Sequence, residues 1–431
     1  MAELYGTTGI PGTSATVRSG GTTAVGAAFT TTAALVGVMD TDNGDATPGD
    51  VYTIESSSEA GTQFGEGSEL KEQTDLAYLN GAGLVYAYPV TETETTESFS
   101  GSSSGTLAEA PALDPTLHDH LDITAEDTTT STSVDVVVDP DPTTPADADT
   151  IELNPETGNW EADESSDYDI TYTHGDYDNG IQETAKLVPR SLGVLTENTS
   201  VINDLLTELN SYDVDFDFMH GYAGAPAETT AADYSDNVDD RRQVIVAPSR
   251  GYLDSAETNE ARTVGAVAGK QAGKPLGDST TYEDLDGFAS LRTAYTNSEL
   301  ATLIDKQVYP IKQGGGVKVI KDMTTSTDTR FERVYASEIV DEVTQISNDI
   351  AQQFIGNVNS EDERILLAES HRTSYSQLER DELLEDYFVG VSKGADDFEV
   401  DVEIGIDVIG IMDTIDVTVT VGDIITNGGA A

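Results

Sequence analysis

The sequence contains no cysteine. That rules out a disulfide framework, a thiolate nucleophile and a cysteine-ligated metal. Positive charge is also scarce: 21 Lys plus Arg stand against 80 Asp plus Glu, a formal net charge of −59. Neutralising phosphates takes clustered Lys and Arg, so the composition argues against nucleic-acid binding. Long apolar runs are missing. The longest, near Ala33–Met39, falls far short of the roughly 20 residues a bilayer-spanning helix needs. The opening Met1-Ala2-Glu3-Leu4-Tyr5-Gly6 has neither the basic nor the apolar region of a secretory signal, which reads as a soluble chain made in the cytoplasm.

Catalytic signatures are missing as well. A phosphate-binding loop needs four residues between its first glycine and Gly-Lys-Ser/Thr. Gly265-Ala-Val-Ala-Gly269-Lys270 is one residue short and continues with Gln271, and Gly269-Lys-Gln-Ala-Gly273-Lys274 runs into Pro275. No G-x-G-x-x-G opens a helix, and no G-x-S-x-G elbow presents a serine. Among five histidines only His118-Asp119-His120 has ligand-like spacing, with Asp114 and Asp122 nearby. A turn in an acidic loop explains it as well as a metal does. Carboxylate pairs have no diagnostic value in a chain this acidic. The expectation is a protein without catalytic residues, cofactor or metal.

What is present is dispersed negative charge on a chain with 37% hydrophobic residues. Self-repulsion of this size opposes a compact state in dilute buffer. At molar salt the Debye length falls to roughly 3 Å, and carboxylates stop sensing one another beyond contact. Periodic apolar segments argue for a folded, salt-adapted protein rather than a disordered one, from a salt-loving archaeon or its virus.

At 431 residues the chain exceeds the size of a single core. Residues 1–24 are rich in Gly, Thr and Ser and read as either a disordered tail or an arm that orders against something else. Val25–Met39 is β-prone, Val51–Ile54 and Leu84–Val90 are short strands, and Ser68–Asn80 is helical. Thr91–Ser104 is Thr/Ser/Glu low complexity, read as a linker or loop. Strand candidates Val134–Val138, Ile151–Leu153 and Tyr168–Thr173 follow between turn clusters, with no amphipathic helix up to about 185. The α/β texture returns with a helix at Asn198–Asn210, strands at Val214–Met219 and Val244–Ala247, a short helix continuing through Leu300–Ile304, and a strand at Gly316–Lys321. Ile339, Val343, Ile346, Ile350 and Phe354 form one stripe along a helix over Tyr335–Ile355. A second helix is expected at Ser374–Tyr387, then an almost wholly β-prone end, Phe398–Ile425. The fold class is a mixed α/β core with an inserted all-β domain and extended N- and C-terminal arms. The spans are 1–24 (arm), 25–95 and 186–406 (core), 96–185 (insertion) and 407–431 (C-terminal arm).

Two features point to assembly. Ile415, Val417, Val419 and Val421 alternate strictly, and such a strand must pair or be covered. Pairing inside its own domain, with Phe398–Ile406, and exchange between subunits both satisfy it. With Leu4, Tyr5 and Ile10 on the opposite arm, strand exchange adds backbone hydrogen bonds and side-chain pockets. Second, Lys306, Lys312, Lys318, Lys321, Arg330 and Arg333 make a basic island in an acidic chain. It reads either as a docking face or as ordinary internal ion pairs.

The order of motifs resembles that of contractile tail sheath proteins from tailed phages and related injection systems. At the N-terminal end the similarity lies in Ala34–Met39, Val51–Ser56, Phe64–Leu70 and Asn80–Tyr86. At the C-terminal end it lies in Val308–Ile311 before Gly314–Lys321, Phe331–Tyr335, Phe354–Asn357, Asn359 and Arg364. The chain departs from the pattern at Thr324-Thr325, where Arg-Thr is expected, and throughout the insertion. The resemblance implies stacked rings forming a helical homo-oligomer around an inner tail tube, with baseplate and tail-terminator partners, in a virion tail. Terminal arms would link subunits, and contraction from a metastable extended state would drive the tube through the target envelope without nucleotide. It places Lys306–Arg333 near the tube or a ring-to-ring contact and 96–185 outward. The alternative is a halophilic surface or capsid protein.

Overall fold

The first apolar run becomes strand β1 (Thr32–Gly37), buried at every position after the first. The computed structural model describes residues 31–411, apart from 119, 140, 146, 148, 214–216, 227–230 and 237. Side chains of a strand point alternately to opposite faces, so β1 feeds two cores. Ala33 and Leu35 enter one cluster and Ala34 and Val36 the other. β2 (Tyr52–Ile54), α1 (Ser57–Phe64), α2 (Glu69–Leu79) and β3 (Leu84–Pro89) follow. Ser56 and Ser68 cap the two helices by accepting from Glu59 N and Lys71 N, as short hydroxyl side chains do at helix starts.

Residues 92–175 leave this layer. They form β4 (Glu92–Thr106), β5 (Thr124–Asp127), β6 (Thr132–Val138), β7 (Thr150–Leu153) and β8 (Asn159–Gly175). The five strands make one sheet, β4-β8-β5-β6-β7, in which β7 also pairs with β8. Trp160, buried between Phe99 and Tyr168, sits in its core with Ile151, Leu153 and Ile170. β4 corrects the linker reading. It pairs with β8 from Glu92↔Gly175 to Thr106↔Asn159. Threonine's branched side chain suits a pleated, half-exposed strand, and Phe99 on Trp160, 5.0 Å between ring centres, supplies the apolar anchor.

The next stretch alternates. α3 (Tyr177–Ala185), β9 (Ser191–Val194), α4 (Thr199–Tyr212), β10 (His220–Gly224), α5 (Ala231–Ser235) and β11 (Gln243–Ala247) come first. After them come β12 (Arg250–Tyr252), β13 (Glu260–Arg262), α6 (Val264–Ala272), β14 (Asp284–Leu285) and β15 (Ser290–Leu291). α7 (Asn297–Asp305), β16 (Tyr309–Gln313) and β17 (Val317–Val319) complete the run. α3 lies where no helix was expected; Asp176 caps it, and Tyr177, Ile181 and Ala185 enter the second core. Of the strand expected at Val214–Met219, residues 214–216 lie outside the described residues and 217–219 are not strand; β10 begins just after, at His220.

A nine-stranded sheet, β14-β17-β16-β11-β10-β9-β1-β3-β2, organises this part. Its strands from β3 through β16 run parallel to their neighbours, and antiparallel pairs close both edges. Residues of α2 and α6 pack on one face, and those of α3 and α4 on the other. β12 joins β13 and β15 in a separate small sheet. The glycines of the failed phosphate loop have a packing role instead. A Cβ on Gly269 would stand 2.3 Å from Ala77 O, so α6 and α2 meet with almost no gap.

The C-terminal unit is α8 (Val334–Phe354), α9 (Glu361–Arg380), β18 (Leu384–Lys393) and β19 (Val400–Val408). The apolar stripe of α8 packs against α9 and the β18–β19 ribbon. The helix expected at Ser374–Tyr387 is corrected at both ends. α9 starts at the Ser360 cap, with Glu361, Asp362 and Glu363 in its first turn, where carboxylates complement the helix dipole. It stops before Glu382, whose φ of 58° breaks it, and Leu384 onward is strand.

Candidate functional site

Three places concentrate chemistry. The first is a buried ion cluster where the five-stranded sheet meets the core. The guanidinium of Arg262, on β13, reaches Glu69 Oε1 at 2.7 Å, Glu197 Oε1 at 2.9 Å and Glu156 Oε1 at 2.5 Å. Arg250, on β12, lies 2.6 Å from Glu197 Oε1 and 3.4 Å from Asp114 Oδ2. Asp114 and Glu156 come from the 92–175 segment, so two arginines fasten that sheet to the core. Glu156 also accepts from Thr196 Oγ1 and Glu197 N at 2.7 and 2.8 Å. Burial alone would raise the Glu156 carboxyl, but Arg262 and Arg250 hold it below its ordinary value. Glu69 goes the other way, because burial there outweighs Arg262.

The second place is the polar side of α8. Arg190 forks onto Glu338, with Nε–Oε1 and Nη2–Oε2 both 2.8 Å. Gln271 Nε2 donates to Glu338 Oε2 at 2.8 Å. Asp341 receives Arg241 Nη1 at 2.6 Å and Arg242 Nη2 at 2.7 Å. The guanidinium of Arg242 lies 4.6 Å from the Phe218 ring centre, and that of Arg241 5.3 Å from Phe331. Beside them an open cleft of about 330 Å³ is bordered by Asp213, Asp239, Asp240, Asp328, Arg241 and Phe331.

The third place is the β18–β19 ribbon. It pairs from Leu384↔Val408 to Lys393↔Val400, and among the described residues no strand covers either outer edge. One face packs on the helices through Leu384, Val389 and Ile406. Phe388 stays 57% exposed, and Phe398, at the turn, 96%. Asn359 Nδ2 donates to Asp397 O and Glu399 O, which brings Val358, 78% exposed, to the same end.

The residues singled out from sequence are distributed as follows. Leu4, Tyr5, Ile10, Ile415, Val417, Val419 and Val421 lie outside the described residues. The six cations of 306–333 each have an internal acceptor. Lys306 meets Asp236 and Lys318 meets Asp284, both at 2.5 Å. Lys321 stands 3.7 Å from Glu332, and Arg330 2.6 Å from Asp328. Arg333 is buried on Asp322 at 2.8 Å, and Lys312 donates to Asn297 Oδ1 at 2.5 Å. His118 and His120 turn to different carboxylates, Glu69 at 3.9 Å and Glu92 at 3.2 Å. Among the described residues no three His, Asp or Glu group as metal ligands, and no helix is long and apolar enough to cross a membrane.

No protein-family model matches the sequence, and no curated protein matches it. Solved structures do resemble the fold. The sheath tail protein of Desulfitobacterium hafniense aligns at 13% identity, TM-score 0.55, over 92% of this chain and 100% of its own. The helical sheath of the anti-feeding prophage in its contracted state aligns at 12% identity, TM-score 0.58, over 96% of this chain and 99% of that one. A sheath complex from an extracellular contractile injection system, also contracted, aligns at 12% identity, TM-score 0.57, over 96% and 98%. The chain therefore has the mixed α/β fold of contractile sheath proteins, from end to end of theirs.

Proposed function

We propose that this chain is the repeating subunit of a contractile tail sheath, with a structural rather than a catalytic role. The observation that carries the reading is the open-edged β18–β19 ribbon, set in a fold shared with sheath proteins. A two-stranded ribbon is marginal alone, and uncovered edges invite strands from other chains. The terminal arms, with Leu4, Tyr5 and Ile10 at one end and Ile415, Val417, Val419 and Val421 at the other, are the strands proposed to add to it. Head-to-tail addition of this kind propagates into rings or a helix. The five-stranded sheet of 92–175 faces outward in this reading, and the inner tube, baseplate and tail terminator are the partners. Of the 306–333 cations, Lys306, Lys312, Lys318, Lys321 and Arg330 remain candidates for tube or inter-ring contact, and Arg333 does not, because it is buried. The acidic composition supports a particle that works in concentrated salt, in a haloarchaeal virus or its host.

Negative-stain microscopy of the full chain at molar KCl tests this. Hollow striated tubes are expected from the intact chain, and folded, dispersed monomers after deletion of 415–431. Monomers from the intact chain, alone and in lysate, would overturn the sheath reading in favour of a surface or capsid protein. Tubes from the truncated chain would overturn the arm assignment.

A further inference from the structure

The C-terminal unit is packed within itself by apolar contacts and joined to the core by charge. Its two clusters are built from α8, α9, β18 and β19, and among the described residues Leu276 is the one core side chain that joins them. In return α8 gives the core cluster only its first residue, Val334. Beside Leu276, Gly277 closely approaches Leu383, where a Cβ would stand 2.2 Å from Leu383 Cδ2, and the seam along α8 is otherwise polar. Glu338 and Asp341, three residues apart and so on one face of the helix, are gripped by Arg190 and by the Arg241–Arg242 pair. Ser337 Oγ donates to Arg241 O at 3.3 Å. Among the described residues, Gln271 Oε1 and His220 Nε2, both buried at this seam, have no hydrogen-bond partner.

We propose that α8 through β19 is a separable body, latched to the core by Arg190, Arg241 and Arg242 and pivoting at Arg333–Val334. An apolar seam resists opening in proportion to the area it would expose to water. A seam of buried ion pairs behaves differently, because opening returns both charges to solvent and recovers much of their desolvation cost. Forked arginines fit planar carboxylates in one register, so partial sliding is disfavoured and the seam is either docked or open. Arg333, held on buried Asp322 at 2.8 Å, fixes the point where the chain crosses. What the motion serves rests on the sheath reading: the ribbon stays paired with neighbouring copies while the sheet-bearing body re-orients.

Hydrogen exchange on the full chain at molar KCl tests the latch without assembly. Amides of 334–408 are expected to exchange as one set, at least tenfold faster than those of β1, β9 and β10. Asp341→Asn is expected to speed that set a further tenfold or more and leave the central sheet unchanged. The paired replacement Arg190→Met with Glu338→Leu leaves neither charge of that pair unmatched, and it is expected to slow the set. It also keeps the test decisive if Asp341→Asn fails to fold. Equal rates for 334–408 and the central sheet in the wild type would overturn the proposal, as would an equal effect of Asp341→Asn on both, or no effect of the paired replacement. If tubes form, the paired replacement is expected to assemble and not contract, and contraction at the wild-type rate would overturn the mechanical role. If no tubes form from any version, the sheath reading fails while the exchange result still decides the joint.

Discussion

Burial pushes three imidazoles in the same direction, those of His118, His220 and His371. His118, beside Arg262, and His220, between Asp341 and Arg242, are each pushed down to about 3. Unfolded, an imidazole titrates near 6.5. Between those values the unfolded chain takes up protons that the folded chain refuses, so stability falls as pH drops from about 6.5 towards 3. One such histidine lowers stability by about 2 kcal/mol between pH 7.5 and pH 5. His118→Gln is therefore expected to shrink the difference in unfolding free energy between those two pH values by about that amount, measured by urea titration at molar KCl. An unchanged difference would mean that His118 can ionise in the folded state. The buried Glu156 and Asp341, both held below their ordinary values against burial by neighbouring arginines, add a separate loss. Theirs begins as pH falls through the ordinary carboxylate range and is complete only below their folded values.

Among elements, the contact of α2 with α6 sets two principles against each other. Alanine is a better helix former than glycine by about 1 kcal/mol, yet a Cβ on Gly269 would stand 2.3 Å from a backbone oxygen of α2. Overpacking of this sort costs about 1–3 kcal/mol. Gly269→Ala is expected to lower the midpoint of thermal unfolding, and a raised midpoint would show that the helices can part freely. Elements with a clear apolar period are legible in the sequence: β1, β3, α2, α4 and α8 lie within two residues of their expected ends or inside the run that announces them. Where the two disagree, the causes are physical. β4 is nearly without apolar side chains, so its pairing with β8 leaves little mark on the sequence. α9 exposes Ile365 and Leu366 and buries His371, which blurs its stripe and displaces the expected helix towards Leu383 and Leu384. The ion clusters are not legible at all. Arg262 and Glu69 are 193 positions apart and Arg190 and Glu338 are 148 apart, and no local pattern selects one carboxylate from 80.

On the scale of the whole molecule, scarce positive charge is used internally. Arg190, Arg242, Arg250, Arg262 and Arg333 are buried, and many of the remaining described Lys and Arg sit beside a carboxylate. The surface is left overwhelmingly anionic. Lowering KCl from molar to about 10 mM lengthens the Debye screening distance from roughly 3 Å to roughly 30 Å, and mutual repulsion then acts across much of the molecule. Near-UV circular dichroism is expected to collapse over that range, with sucrose of matched osmolarity failing to restore it. A signal indifferent to salt would remove the electrostatic account of this composition. The 92–175 sheet has its own consequence. The chain has one tryptophan, and it lies in the core of the 92–175 sheet, walled by Phe99 and Tyr168. Excited at the red edge of its absorption, where tyrosine is silent, the protein reports optically on that sheet alone. Its emission colour is therefore a built-in thermometer for one module, and comparison with the backbone signal would show whether this sheet melts with the body that carries it or ahead of it.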